Sequence, residues 1–401
     1  MDVIIKPCRI SGTVNAPPSK SYAHRALICA ALAGGGTVAG IEYSNDILAT
    51  LDCVKALGSA VRQSGNTVKI LSRDTDARRE PVFDCRESGS TLRFFIPVAA
   101  ALFDSAVFTG SARLIERGIG VYEKLFEQQG IKVEKSETGI KITGRLTGGE
   151  FEIAGNISSQ FATGLLLAMP LAGRGSVLKI TPPVESRPYI DITLDVLEKY
   201  GIRVAEKEKN VFYSEGGQGY NPCYTAIPGD WSNAAALLAF NSAGGDVRVN
   251  GLDENSAQGD RFCVEAFEKL ENKNAVIDLS DCPDLAPVLF AVAAAKHGAV
   301  FTGTKRLAIK ESDRASSMAR ELEKFGVKSE ISENSVKIFD CPLKCPSLPL
   351  SSHNDHRVVM ALSFLASITG GRISGAQAVE KSYPRFFETL RSLSMEVRIE
   401  T

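Results

Sequence analysis

Two kinds of helical pattern alternate along the chain. One is apolar around most of its circumference and reads SYAHRALICAALAGG, SGSTLRFFIPVAAALF, SSQFATGLLLAMPLAG, DWSNAAALLAFNSAGG, DLAPVLFAVAAAKHG and NDHRVVMALSFLASITGG. Helices of that kind belong in an interior. Each opens on Ser, Asp or Asn, whose side chains accept from the free N–H groups of a first turn, and several close on Gly. The other kind is amphipathic and charged and runs into a turn and a strand. Its instances are LDCVKALGSAV, YEKLFEQQGIKV, DVLEKYGIRV, AFEKLENKNAVI, ELEKFGVKSE and ETLRSLSMEVR. Gly58, Gly130, Gly201 and Gly326 stand at these turns, where a left-handed residue is most easily glycine. Short β-rich runs such as TVKIL, AVFTG, SVLKITP and DVRVNG lie between the helices.

The pair of helices recurs roughly every seventy residues, once at a shorter interval, which is the signature of stacked supersecondary units. The pattern predicts an α/β chain of six βαβαββ-like units in two domains of three. Crossings fall near APP (16–18) and IPGD (227–230). The expected domains are therefore 1–17 with 228–401, and 18–227, with the first strand joining the C-terminal half.

Composition narrows the function. The chain has 401 residues, 44% hydrophobic and 23% charged, the balance of a globular protein with a full core. Lys and Arg number 46 against 47 Asp and Glu. With neither sign in excess, the charge balance argues against a general nucleic-acid or membrane-surface binder, though not against a local basic site. The most apolar stretches, 161–173 and 285–295, fall short of the ~20 residues a membrane span needs. The opening MDVIIKPCRISG lacks the apolar core of a secretion signal. Nine cysteines, scattered and without a C-x-x-C pair, argue against a disulfide framework or structural zinc. A reduced, cytosolic protein is expected.

Chemistry-bearing residues gather at the starts of the apolar helices: Lys20, Ser21, His24 and Arg25; Ser88 to Arg93; Ser158, Ser159 and Gln160; Asp284; Asn354 to Arg357. A helix N-terminus presents free N–H groups and about half a positive charge, so it attracts anions. If the units are pseudo-symmetric, these ends point one way within each domain and ring a shared cleft suited to an anionic small molecule. Lys20 and Ser21 could cradle a phosphate, with Arg25 one turn on as a clamp. No G-x-x-x-x-G-K-[ST] loop is present. GGGTVAG (34–40) follows a helix and precedes a strand, the wrong order for a dinucleotide site.

Taken in order, PSKSYAHRALICAALAGG, ESGSTLRFF, ERGIG, GNISSQFATGLLLAMPLAG, SRPYIDIT, CPDLAPVLFAVAAA, KESDRASSMARELEKFGV, NDHRVVMALS and KSYPRFFETL resemble the 5-enolpyruvylshikimate-3-phosphate synthase family from the first strand to the final helix. The resemblance implies two inside-out α/β domains of three repeats each. It implies transfer of the enolpyruvyl group of phosphoenolpyruvate to the 5-hydroxyl of shikimate 3-phosphate, with no metal or organic cofactor, no nucleic-acid or membrane partner, and a monomer. It assigns Lys20, Ser21, Arg25, Ser158, Ser159, Gln160, Ser186, Asp284 and Lys310 to shikimate 3-phosphate. To phosphoenolpyruvate it assigns Lys20, Gly89, Arg117, Gln160, Arg314, Arg357 and Lys381, a side chain at Gly89 being expected to invade the space of the small substrate. Asp284 corresponds to the base, and Glu311, Lys310 and Lys20 to groups that move protons or stabilise charge. His24 and His356 are read as structural hydrogen-bonding residues.

Three positions depart from the family pattern: Glu87 where an amide is common, Gly118 where Pro is often found, and Arg306 where some members place Asn. The sister enzymes that enolpyruvylate a UDP-sugar carry a Lys-Asn pair where this chain has Lys20-Ser21, and commonly a loop Cys that SARLIERGIG lacks. RNA 3′-phosphate cyclases, built from a related repeat, need a nucleophilic His in a nucleotide site; the chain has only 4 His.

Overall fold

The computed structural model describes residues 1–74, 76, 79–137 and 139–400. The chain divides into two compact units, Lys20–Ile227 on one hand and Met1–Ser19 with Pro228–Thr401 on the other.

In the unit 20–227, three four-stranded sheets share one strand order. In the middle sheet, Val82–Asp84 runs parallel to Ser105–Thr109, which pairs antiparallel with Gly139–Thr143, itself paired with Lys132–Lys135. Gly149–Ala154, Ser176–Thr181, Val211–Ser214 and Val204–Glu208 repeat the order. The remaining sheet takes its first strand, Tyr224–Ala226, from the end of the unit and pairs it parallel with Gly36–Ala39, so the unit closes on itself. The strands alternate buried and open positions, as in Ser105–Thr109, where Ala106 and Phe108 point inward. The inner helices Lys20–Leu32, Gly89–Leu102 and Ser159–Ala168 are buried along nearly their whole length. Sheets half apolar and helices apolar all round have one joint solution, helices inside and sheets outside.

The second unit uses the same parts. Leu350–Ser351, Gly371–Ser374, Asp2–Ile5 and Val397–Glu400 form one sheet, so the N-terminal strand fills the fourth-strand place of the last repeat. Val276–Asp278, Ala299–Thr302, Ser335–Ile338 and Ser329–Ile331 form another. The fourth repeat departs from the expected βαβαββ form: its sheet is only the parallel pair Ser11–Asn15 and Asp246–Asn250. Its outer helix, Cys263–Leu270, is followed within a few residues by Val276–Asp278, the first strand of the next sheet. No length of chain remains for a hairpin. The inner helices here are Trp231–Leu238, Ala286–Ala295 and His356–Thr369. Among the described residues, no helix is long and apolar enough to cross a membrane.

One crossing of inner helices shows how tightly the first unit is fitted. Pro97 lies inside Gly89–Leu102 and has no N–H for the carbonyl of Arg93 one turn back. Tyr122 Oη donates to that carbonyl instead, at 2.7 Å, and to the Phe161 carbonyl at 3.0 Å. Gly164 of the neighbouring helix sits against this point. A Cβ there would lie 2.2 Å from the Arg93 carbonyl oxygen and 2.3 Å from Tyr122 Oη. Backbone cannot swing aside as a side-chain tip can, so Gly164→Ala is expected to part the helices at a loss of about 1–3 kcal/mol. The check is the urea unfolding midpoint; an unchanged midpoint would mean that the crossing relaxes freely.

Candidate functional site

In the unit 20–227 the first turns of the three inner helices converge. Arg25 of the first donates through NH2 to Thr163 Oγ1 of the third, at 3.1 Å, and its guanidinium lies 5.0 Å from the Phe94 ring centroid of the second. Gln160, at the start of the third, donates through Nε2 to Ser90 Oγ at 3.1 Å and accepts from Arg93 NH1 at 2.7 Å. Ser88 and Ser158 cap their helices, accepting from Thr91 N and Gln160 N. Three helix dipoles therefore add their positive ends at one place.

The cations there differ in how far they are committed. Arg25 is buried and also donates to Thr193 Oγ1 (2.8 Å), the Ser21 carbonyl (2.7 Å) and the Tyr189 carbonyl (2.9 Å). Four of its five N–H groups are thus used, leaving one on NH1 among the described residues. Burial pushes its pKa down to about 10. Lys20 Nζ is 2.8 Å from Asp46 Oδ2, on the outer helix Asn45–Ala56. Arg117 is the opposite case: its side chain makes no hydrogen bond or ion pair among the described residues, and its Nε is buried. A Cβ on Gly89 would meet Arg93 NH1 at 2.9 Å and the two terminal nitrogens of Arg117 at 3.2 and 3.3 Å. Glycine here lets two guanidinium groups close over the N-terminus of the second inner helix. The hydroxyls of Ser21, Ser159 and Ser186 make no hydrogen bond among the described residues. Ser186 holds a left-handed conformation, φ 58°, ahead of the helix Arg187–Lys199. A non-glycine residue in that region is uncommon and is kept only where its surroundings demand it.

The second unit also brings its inner-helix starts together. Arg357, on the first turn of His356–Thr369, donates through NH1 to the Ser232 carbonyl (2.8 Å) and Asn233 Oδ1 (3.1 Å) at the start of Trp231–Leu238. Arg314, buried, binds three carboxylates: Nε to Asp355 Oδ2 (2.9 Å), NH1 to Asp284 Oδ1 (2.7 Å) and NH2 to Glu311 Oε2 (2.9 Å). Lys310 Nζ adds a 3.1 Å contact to Asp284 Oδ1. Asp284, Lys310 and Glu311 each keep about a quarter of the side chain open to solvent, whereas Arg314 keeps 1%. The guanidinium therefore lies under the carboxylates it holds, with two N–H groups unused among the described residues. Asp355 caps the last inner helix through Arg357 N. Before it, His353 and Asn354 are both left-handed, φ 48° and 55°, and the Asn354 carbonyl accepts from Lys381 Nζ at 2.7 Å.

The electrostatics follow from this packing. Burial works to raise the pKa of Asp284, but Lys310, Arg314 and Arg357 outweigh it and hold the carboxyl well below its ordinary value. Burial is the main force lowering Lys310, with Arg314 and Arg306 acting the same way and Asp284 and Glu311 opposing.

Among the sequence-assigned residues, Arg25, Ser158 and Gln160 belong to the converging helix starts of one unit; in the other, Asp284 and Arg357 stand at inner-helix starts, and Arg314, which opens the outer helix Arg314–Lys324, joins them with Lys310 and Glu311 just before it. Arg306 is buried and donates to the Ser280 carbonyl at 2.6 Å; Glu87 is exposed. Arg93 and Asp355 were gathered from the sequence among the helix-start residues without a role, and Asp46, Thr163, Thr193 and Asn233 were not singled out. Asp46 stands in the first turn of a charged helix, where an acid complements the dipole of any helix, so nothing local marks it.

Comparison with known proteins bears on the whole chain. The model of the family described as EPSP synthase (3-phosphoshikimate 1-carboxyvinyltransferase) matches residues 4–390. A 3-phosphoshikimate 1-carboxyvinyltransferase of Clostridium kluyveri is 38% identical over 98% of this chain and 98% of its own length. One from Clostridium perfringens is 36% identical over 99% of each. A solved EPSP synthase from Acinetobacter baumannii superposes with a TM-score of 0.80 at 23% identity, over 99% of this chain and 100% of that one, a likeness of fold.

Proposed function

The chain belongs to the EPSP synthase (3-phosphoshikimate 1-carboxyvinyltransferase) family, and from that premise we propose that it transfers the carboxyvinyl group of phosphoenolpyruvate to the 5-hydroxyl of shikimate 3-phosphate and releases phosphate. The hydroxyl oxygen bonds to C2 of the enolpyruvate and gives its proton to a base, while C3 takes a proton. The tetrahedral adduct then loses a proton from C3 and breaks the C2–O bond to phosphate.

The observation that carries this reading is the carboxylate of Asp284, held ionised between Lys310 and Arg314 at the start of an inner helix. An alcohol adding to an alkene needs a base within hydrogen-bond reach. The same cations that hold Asp284 weakly basic are those a substrate carboxylate or phosphate would engage. When the anion draws on Lys310, Arg314 and Arg357, their pull on Asp284 falls and its basicity rises, so the base strengthens once the second substrate has arrived. Lys310, its ammonium made more acidic by burial, gives up a proton more readily than an ordinary lysine; Glu311, on Arg314 NH2, shares that neighbourhood.

We assign shikimate 3-phosphate to Lys20, Ser21, Arg25, Ser158, Ser159, Gln160 and Ser186, with Asp284 and Lys310 at its hydroxyls. Phosphoenolpyruvate is assigned Lys20, Gly89, Arg117 and Gln160, together with Arg314, Arg357 and Lys381. Arg117 brings donors that no other described residue uses. Arg314 brings its two unused N–H groups, which a ligand reaches as Asp284 or Glu311 yields. Neutralising two phosphates and two carboxylates in this way is the main electrostatic task of catalysis here. The expected result is phosphate release from phosphoenolpyruvate when shikimate 3-phosphate is the acceptor and none when UDP-N-acetylglucosamine replaces it. Release with the UDP-sugar alone, or with neither, would overturn the reading.

A further inference from the structure

A line of four polar side chains crosses the apolar interior of the unit 20–227. His24 Nδ1 is 2.6 Å from Thr50 Oγ1, Thr50 Oγ1 is 2.8 Å from Thr91 Oγ1, and Thr91 Oγ1 donates to Ser88 Oγ at 2.7 Å. None of the four residues is more than 1% exposed. They sit on three helices, Lys20–Leu32, Asn45–Ala56 and Gly89–Leu102, with Ser88 the cap of the last.

Both ends of the line touch the site already described. His24 is one turn after Lys20 on the same helix face, and Thr50 is one turn after Asp46 on the outer helix. Lys20–Asp46 and His24–Thr50 are therefore two rungs between the same pair of helices, spaced four residues apart on each. From Thr50 the line continues to Thr91 and Ser88, directly ahead of Gly89, which lies under Arg93 and Arg117.

The direction of the line is fixed from its far end. Since Thr91 gives its proton to Ser88, its oxygen accepts from Thr50, and Thr50 in turn accepts from His24 Nδ1–H. The imidazole is left with a bare Nε2 that has no partner among the described residues. Burial together with Lys20 and Arg25 keeps that ring neutral by holding its pKa well below the ordinary value. Valines at 50 and 91 would fill the same volume with no hydrogen bonds to satisfy. What the hydroxyls add is a fixed orientation.

We propose that the His24–Thr50–Thr91–Ser88 line is a positioning device that sets the Lys20 ammonium against the N-terminal turn of the second inner helix, and thereby tunes the affinity for phosphoenolpyruvate. The proposal rests on the assignment of Lys20, Gly89 and Arg117 to that substrate. Shikimate 3-phosphate draws mainly on the first and third inner helices, which Arg25, Thr163 and Thr193 tie together without the line. The four residues act through Lys20 and the helix end, and none of them touches a reacting atom.

The test compares Thr91→Val, Thr91→Ser, Thr50→Val and the Thr50→Val/Thr91→Val double variant in full-length enzyme, by steady-state kinetics in both substrates and calorimetry of shikimate 3-phosphate binding. Each valine variant is expected to raise KM for phosphoenolpyruvate by about tenfold with kcat little changed. Affinity for shikimate 3-phosphate, which shares Lys20 but has Arg25 and the third inner helix besides, is expected to change far less. Thr91→Ser, which keeps the hydroxyl, restores KM, and the double variant is no worse than either single one because the residues form one chain. An unchanged KM in both valine variants, a Thr91→Ser as impaired as Thr91→Val, or parallel losses for both substrates would overturn the proposal. Should one valine variant fail to fold, the other carries the comparison. Wild-type enzyme that does not turn over would instead remove the function on which the proposal rests.

Discussion

Asp284→Asn lowers kcat by about 10²- to 10⁴-fold while the chain stays folded, the range a positioned general base contributes. Asparagine keeps an oxygen for Arg314 NH1 and Lys310 Nζ, which bind Asp284 Oδ1 at 2.7 and 3.1 Å, so the local scaffold survives and only the proton acceptor is lost. The pH profile of the wild type supplies a second check. Lys310, Arg314 and Arg357 outweigh burial and hold Asp284 well below the ordinary carboxyl value. In the free enzyme, which kcat/KM reports, the base therefore stays ionised as pH falls through the usual carboxylate range, and no acidic limb of kcat/KM belongs to it there. Lys310 is shifted down, chiefly by burial, so any step that needs its ammonium fails as pH rises through a value below the ordinary lysine range. Activity within tenfold of wild type in Asp284→Asn would take the base away from this residue, leaving Glu311 and Lys310 as the groups to examine.

What could be read from the sequence follows the range over which each feature is decided. The inner helices and their caps are local: Ser88, Ser158, Asp230 and Asp355 all stand where the pattern puts them, each accepting from a first-turn N–H. Gathering cations at helix starts is likewise local, because the dipole that makes such a place attractive to anions comes with the helix itself. Partners far along the chain are not. Arg25 reads as a free clamp one turn after Lys20, yet its guanidinium is largely spent on Thr163, Thr193 and Tyr189, more than a hundred residues away. Arg314 reads as one more substrate cation and proves to be the hub of three carboxylates, two of them outside its own segment. The reduced fourth repeat was equally hidden. AFEKLENKNAVI has the helix–turn–strand rhythm of its counterparts, but which sheet a strand joins is settled by pairing, and Val276–Asp278 pairs with Ala299–Thr302 of the next repeat.

Removing that hub has the largest expected effect on stability. Arg314→Met destabilises the unit formed by 1–19 and 228–401 by about 3–5 kcal/mol, the usual result of taking one partner from a buried ion pair. Methionine fills much of the volume, so the loss is electrostatic: Asp355, with no exposed side-chain surface, keeps only Ser312 Oγ and the Arg357 amide as donors among the described residues. Asp284 and Glu311 lose their shared guanidinium but can still turn toward Lys310 and solvent. The pH dependence separates this cause from simple loss of packing. In the wild type the depressed pKa of Asp284 gives stability that is fully present above the unfolded carboxyl value and is lost as pH falls through the folded one. In the variant the orphaned carboxylates are easier to bury once protonated, so its deficit against wild type narrows as the solution is acidified. Urea unfolding at neutral pH and at the lower edge of the folded range reads both. A deficit that is constant with pH would assign the effect to packing, and adding Asp355→Asn to Arg314→Met should then recover nothing, whereas the electrostatic account expects that second change to restore part of the lost stability.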